Sequence, residues 1–229
     1  MTATSAVIIG ASGGIGGAMA EALEASGAFA RVHRLSRSGT GFDLEDEAAI
    51  ARAAAEVAKG PAPTLVIVAT GVLHHGEAPE RSYRAMTAEH LLRDYRINAV
   101  GPALAAKHFL PLLPKDRRTV FAALSARVGS ISDNRLGGWH SYRASKAALN
   151  MILKTLAIEL ARSHPLAIVA GLHPGTVDTS LSAPFQKGVA EGRLFDPAYS
   201  AAQLLTVIEG LTPADSGRVL AWDGQVVPA

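Results

Sequence analysis

Short unbroken apolar runs alternate with longer stretches in which small and apolar residues recur at helical spacing. The apolar runs cover residues 6–10, 30–35, 64–69, 118–124, 165–172 and 218–222. Each is continuous rather than alternating, as expected of strands covered by helices on both faces. Helices are predicted over residues 15–26, 45–59, 88–113, 141–162 and 199–210. Gly27 closes the first, Gly60-Pro-Ala-Pro63 stops the second, and Gly101-Pro102 should bend the third. Residues 36–41 read as a loop and 42–44 as a minimal extra strand. Strands alternating with helices, with no repeat or linker, predict one α/β domain over residues 1–229. Its expected architecture is a doubly wound parallel sheet with helices on both faces.

Composition narrows the possibilities. The chain has 229 residues, 48% of them hydrophobic, enough for one substantial core. A net charge of +2, with no basic block interleaved with aromatics, argues against nucleic acid as a partner. With no cysteine, thiolate metal sites and cysteine nucleophiles are excluded. His74 and His75 are adjacent and lack a His-x-x-x-His or carboxylate cluster, so no metal site is expected. No apolar run reaches membrane-spanning length, and the first residues lack a basic leader. The expectation is a cytoplasmic protein with no membrane partner.

Two motifs carry chemistry. The first, Gly10-Ala-Ser-Gly-Gly-Ile-Gly16, joins a buried strand to a helix. Gly10 allows the tight exit, Gly14 lets backbone approach a phosphate, and Gly16 permits close helix–sheet packing. Ser12, Gly13 and the helix-opening N–H near Ile15 complete a pyrophosphate cradle. A ribose-binding carboxylate is expected about 20 residues further on. Ser36 and Arg37 stand there instead and suit a 2′-phosphate, favouring NADP over NAD. Asp43, beside Leu44, is placed either to accept from an adenine amino group or to cap the next helix.

The second motif is Tyr142-x-x-x-Lys146, whose spacing puts both side chains on one helix face. An ammonium beside a phenol should lower its pKa toward the range useful for proton transfer. The two motifs together point to hydride transfer between a nicotinamide and a carbonyl or alcohol.

With Asn98 and Pro174-Gly-Thr-Val-Asp-Thr179, these motifs make the chain resemble the short-chain dehydrogenase/reductase family over nearly its whole length. The resemblance implies a Rossmann-type fold and an oxidoreductase in which Tyr142 is the general acid/base. Lys146 would hold the nicotinamide ribose, and Asn98 would order a water in a proton relay. Ala69, Thr70 and Gly71 would border the cofactor, and Pro174, Gly175, Val177 and Thr179 would hold its carboxamide end. Family members place a serine three residues before a glycine; here Ala126 fills that slot. Ser125 is the first choice for the hydroxyl, with Ser130, Ser132 or no hydroxyl as the alternatives. Segments such as Gly129-Ser-Ile-Ser-Asp-Asn134 resemble a narrower branch containing C-factor-like signalling proteins and sniffer-type carbonyl reductases. A dinucleotide-binding sensor with little catalysis is therefore the alternative function. The family implies a homodimer or homotetramer. Residues 178–196, with Phe185 and Phe195, read as a substrate lid, and Trp139 and Trp222 as packing residues.

Overall fold

The computed structural model describes residues 3–74 and 78–229. Among these lie strands β1 (Ser5–Ile9), β2 (Arg31–Leu35), β3 (Pro63–Val68), β4 (Thr119–Leu124), β5 (Ala167–His173), β6 (Thr176–Val177), β7 (Leu194–Phe195) and β8 (Val219–Ala221). Six of them form one sheet, in the order β2-β1-β3-β4-β5-β8, every pair parallel. The helices are α1 (Gly14–Ser26), α2 (Arg37–Thr40), α3 (Glu47–Val57), α4 (Ala88–Tyr95), α5 (Gly101–Phe109), α6 (His140–Leu160) and α7 (Pro197–Gly210).

The continuous apolar runs serve two cores. Val7, Ile9 and Phe121 pack with Ile50, Phe109, Leu149 and Leu153, from α3, α5 and α6. Ala6, Ile8, Ile67 and Ile168 face the other way, onto Met19 and Leu204 of α1 and α7. A residue's neighbour in a strand points to the opposite face, so a strand buried on both sides needs apolar residues throughout.

Three expectations fail for identifiable reasons. Residues 42–44 form no strand, so the sheet ends at β2. Their apolar–polar–apolar pattern instead anchors a turn, with Phe42 and Leu44 both buried. Leu44 sits so close to Gly101 that a Cβ there would lie 2.5 Å from Leu44 Cγ. The expected loop at 36–41 is a single helical turn, α2, in which Ser36 Oγ accepts from Gly39 N–H at 3.1 Å. The last helix begins at Pro197, not Tyr199, because Asp196 caps it by accepting from Ala198 N–H at 2.7 Å; proline at the first helical position lacks only an N–H that would go unused.

The bend expected at Gly101-Pro102 is a π-helical turn, Arg96–Val100, between α4 and α5. Gly101 N–H reaches back five residues to Arg96 O. Pro102 has no N–H to give the carbonyl four residues earlier, so ordinary α-helical bonding cannot continue there.

Helix α6 packs tightly on the chain that leaves β4. A Cβ on Gly129 would lie 2.8 Å from Lys146 Cβ and 2.9 Å from its carbonyl carbon. Gly129→Ala should therefore push α6 off its seat and cost about 1–3 kcal/mol. Urea denaturation checks this, and an unchanged midpoint would show that the contact yields freely.

Candidate active site

The strand order switches at β1, with β2 added on one side and β3 on the other, and the cleft opens at the carboxyl ends of these strands. Gly10 leaves β1 with φ of 90°, a conformation L side chains rarely adopt. Its absent Cβ would meet Ala69 O at 2.8 Å. The cap residue of α1, Gly13, provides no side-chain cap, so the first N–H groups of this 13-residue helix open toward the cleft. Gly16 lies behind the turn, packed on Gly10.

Two adjoining cavities result. One, about 470 Å³, is lined by Gly10, Ser12, Ser36, Arg37, Asp43 and Leu44. The other, about 330 Å³, is lined by Gly14, Ile15, Ser125, Tyr142, Lys146, Pro174, Gly175, Val177 and Thr179. Gly13, Ala69, Thr70 and Gly71 border both. The Arg37 side chain makes no hydrogen bond or ion pair among the described residues. Asp43 Oδ1 accepts from Glu45 N–H at 3.0 Å, while the cap of α3 is Asp46, not Asp43. Thr70 Oγ1 is buried without a hydrogen-bond partner.

Tyr142 and Lys146 both lie on the inner face of α6. The Lys146 side chain is 2% exposed, and its Nζ donates to Leu124 O at 2.8 Å. Nζ lies 5.8 Å from the centre of the Tyr142 ring. Burial lowers the Lys146 pKa to about 8, against an opposing pull from the Asp94 carboxylate. Asp94 is itself buried and takes Arg93 NH2 at 2.9 Å. The expected acidification of the phenol is not met. Burial, helped by Asp94, pushes the Tyr142 pKa well above the ordinary tyrosine range. Burial disfavours the anion here, so the phenol keeps its proton at neutral pH.

Asn98 sits in the π turn, fully buried. Its Nδ2 donates to Val72 O at 2.8 Å and to Ser145 Oγ at 3.0 Å, and its Oδ1 accepts from Val72 N–H at 2.9 Å. The side chain thus ties the segment after β3 to α6.

The serine expectation meets a different arrangement. Ser125 Oγ donates to Asn150 Oδ1 at 2.6 Å. Ala126, not Ser125, packs with Leu73 and Tyr142. Ser130 and Ser132 both direct their hydroxyls to Ala229 O, and neither lines a cavity. Successive side chains at a strand end point to opposite faces, yet Ser125 and Ala126 both line the smaller cavity.

The segment read as a lid contains short elements of its own. β6 and β7 pair in parallel, Thr176 with Leu194 and Val177 with Phe195. Phe195 anchors the base, 4.6 Å from the Trp222 ring, whereas Phe185 faces the smaller cavity. Trp139 packs against Leu73, Ala126 and Tyr142, as its reading as a packing residue expects, and also lines that cavity. His173 also lines it, but burial lowers its pKa to about 4, so it is neutral near pH 7. The His74 ring contacts Phe185, while His75 lies outside the described residues. Among the described residues no three histidines or carboxylates gather as a metal site, and no helix is long and apolar enough to cross a membrane.

A doubly wound sheet with a glycine cradle at its switch point and a buried Tyr–Lys pair beside it defines the class: a dinucleotide-fold oxidoreductase. The chain belongs to the short-chain dehydrogenase family, whose model matches residues 4–190. It is 32% identical over 162 residues to an uncharacterized oxidoreductase of Schizosaccharomyces pombe, covering 66% of this chain and 60% of that one. It is 35% identical over 138 residues to the C-signal protein of Myxococcus xanthus, covering 60% of this chain and 78% of the relative. That match agrees with the narrower C-factor-like branch. The NADPH-bound carbonyl reductase from chicken fatty liver superposes with a TM-score of 0.84 at 25% identity, covering both chains fully. The carbonyl reductase Sniffer of Drosophila melanogaster, 22% identical with a TM-score of 0.78 and full coverage of both chains, shares the fold.

The low Lys146 pKa has a consequence for stability. Between about pH 8 and the ordinary lysine value of 10.5, the unfolded chain holds a proton at Lys146 that the folded chain has released. Stability rises with pH wherever the unfolded state binds more protons. The unfolding free energy of the protein relative to Lys146→Met should therefore climb across this window, by at most about 1.4 kcal/mol per pH unit. Denaturant titrations at several pH values would show this. A flat difference would mean that Lys146 titrates as an exposed lysine does.

Proposed function

We propose that this protein is an NADPH-dependent reductase of small carbonyl compounds, able to run in reverse on the corresponding alcohols. The carrying observation is the protonated, buried Tyr142 at the wall of a cavity, with an ammonium beneath it and a glycine cradle beside it. The cleft fits a dinucleotide: glycines stand where a Cβ would fill the cradle, and Thr70, which borders it, has a buried hydroxyl without a partner. Arg37, with Ser36, would take the 2′-phosphate, and Asp43 and Leu44 would border the adenine. Ala69, Thr70 and Gly71 would flank the middle, and Pro174, Gly175, Val177 and Thr179 the nicotinamide end. The NADPH-bound relative supports the choice of cofactor.

Reduced nicotinamide supplies the hydride when bound. Tyr142 then donates its proton to the carbonyl oxygen. Lys146, held by Leu124 O, offsets the phenolate charge that this leaves. Its ordinary protonation below about pH 8 keeps that charge in place. Asn98 fixes the segment at Val72 against Ser145 and so holds Gly71 beside Lys146 Nζ. Ser125 lines the same cavity but its hydroxyl is committed to Asn150 Oδ1, so proton donation rests on Tyr142.

The commitment of the Ser125 hydroxyl to Asn150, together with the likeness to C-signal, favours a second reading, a dinucleotide-binding signalling protein with little turnover. Self-association belongs to the proposal as well: Leu92, Tyr95, Met151 and Ile158 leave apolar surface on α4 and α6.

NADPH oxidation with a panel of aldehydes and ketones tests the main reading. Tyr142→Phe should lower kcat by about 10²–10⁴-fold while NADPH still binds. Ala126→Ser should raise kcat if its hydroxyl reaches the carbonyl oxygen. Tight NADPH binding without oxidation of any substrate would favour the signalling reading instead.

A further inference from the structure

Among the described residues, Trp139 is the only non-glycine with positive φ, at 51°. It follows Gly137 and Gly138, at φ of 64° and 67°, so three successive residues are left-handed. A bulky side chain rarely adopts this conformation, which persists only where the surroundings fix it. Here they do. Trp139 N–H donates to Glu80 O, and Arg143 Nε donates to Gly138 O at 3.0 Å. The buried Glu80 carboxylate takes Ser141 N–H at 3.4 Å and also accepts from the Ser141 hydroxyl. The strain sits at the first turn of α6, three residues before Tyr142.

Its effect is to aim the indole at the cavity. The Trp139 ring lies 6.4 Å from the Tyr142 ring and 5.1 Å from the Phe185 ring of the lid, centre to centre. His74 meets the far side of Phe185 at 5.9 Å. Among the described residues no Asp or Glu lines the cavity, and the one guanidinium that does, Arg127, is tied to Asp133. The wall facing the proton donor is therefore aromatic and uncharged.

We infer that Trp139, with Phe185, is the substrate-selecting wall, and that it favours uncharged carbonyl compounds whose carbonyl is attached to a planar aromatic group. This rests on the reductase reading for its reaction but not for its binding. Ring-on-ring packing rewards flat π faces beyond the area they bury, and a puckered ring of the same size forgoes that gain. The left-handed backbone is the device that holds the indole there, and Glu80 and Arg143 are positioning residues for it.

The test compares benzaldehyde with cyclohexanecarbaldehyde, which has the same carbon skeleton but a puckered ring. The ratio of their kcat/KM values is measured in the protein, Trp139→Phe and Trp139→Gly. Intrinsic reactivity cancels when ratios are compared between variants. Glycine suits the left-handed backbone, so the Trp139→Gly variant removes the ring without adding strain. The benzaldehyde preference should fall about tenfold in Trp139→Gly, mainly through KM, and be largely kept in Trp139→Phe. Equal losses on both substrates, or an unchanged ratio, would overturn the inference. In parallel, calorimetry in the presence of NADPH compares benzamide with cyclohexanecarboxamide, neither of which needs to react. Selective benzamide binding that Trp139→Gly abolishes would uphold the wall even if neither aldehyde is reduced, in which case only the reductase reading fails. Equal binding of the two amides would overturn the wall even if both aldehydes are reduced.

Discussion

A charged amine held almost out of reach of water is the constraint on which this site depends. Placing the Lys146 ammonium at 2% exposure is expensive, and the fold answers with the Leu124 carbonyl at 2.8 Å and the Asp94 charge nearby. Several local features follow from that placement. Helix α6 must approach the end of β4 closely, and Gly129 makes the approach possible. The π turn between α4 and α5 carries Asn98 inward to bind Val72 and Ser145, pinning the chain after β3 against the same helix. Tyr142 inherits the desolvation of its neighbour and so remains a protonated phenol rather than a phenolate.

The sheet was legible because its signal is redundant. A strand buried on both faces has to be apolar at almost every position, and apolar runs fell on β1, β3, β4 and β5, whereas β2, at the sheet edge, carries Arg31, His33 and Arg34. Elements set by few residues were less legible. Phe42 and Leu44 alternate with Asp43 as a strand would, yet Leu44 is drawn down onto Gly101, a contact 57 positions distant that no local pattern reveals. The single turn of α2 rests on the Ser36 cap, and α7 on the Asp196-Pro197 cap, a start signal that the sequence does carry.

The candidate site divides in the same way. The glycine cradle and the Tyr142–Lys146 spacing are local motifs, and the structure gathers them around one cleft. The direction of the phenol's pKa shift was not readable, because spacing shows that two groups are neighbours but not how far water is excluded from them. Likewise the choice between Ser125 and Ala126 turns on the exact strand end, where one position decides the face. Trp139 escaped notice as a cavity residue because its orientation depends on three left-handed residues and on Glu80, whose partner Ser141 lies 61 positions away. The Gly137-Gly138 pair before it was the available clue.

Titration of Lys146 itself is the most direct test of this buried charge. In protein with ¹³C-labelled lysine, the Lys146 Cε resonance is identified by its loss in Lys146→Met and followed with pH by NMR. A midpoint at about 8 is expected from its burial. A midpoint at the ordinary lysine value of 10.5 would contradict it, placing the amine in water and removing the charge from beneath Tyr142.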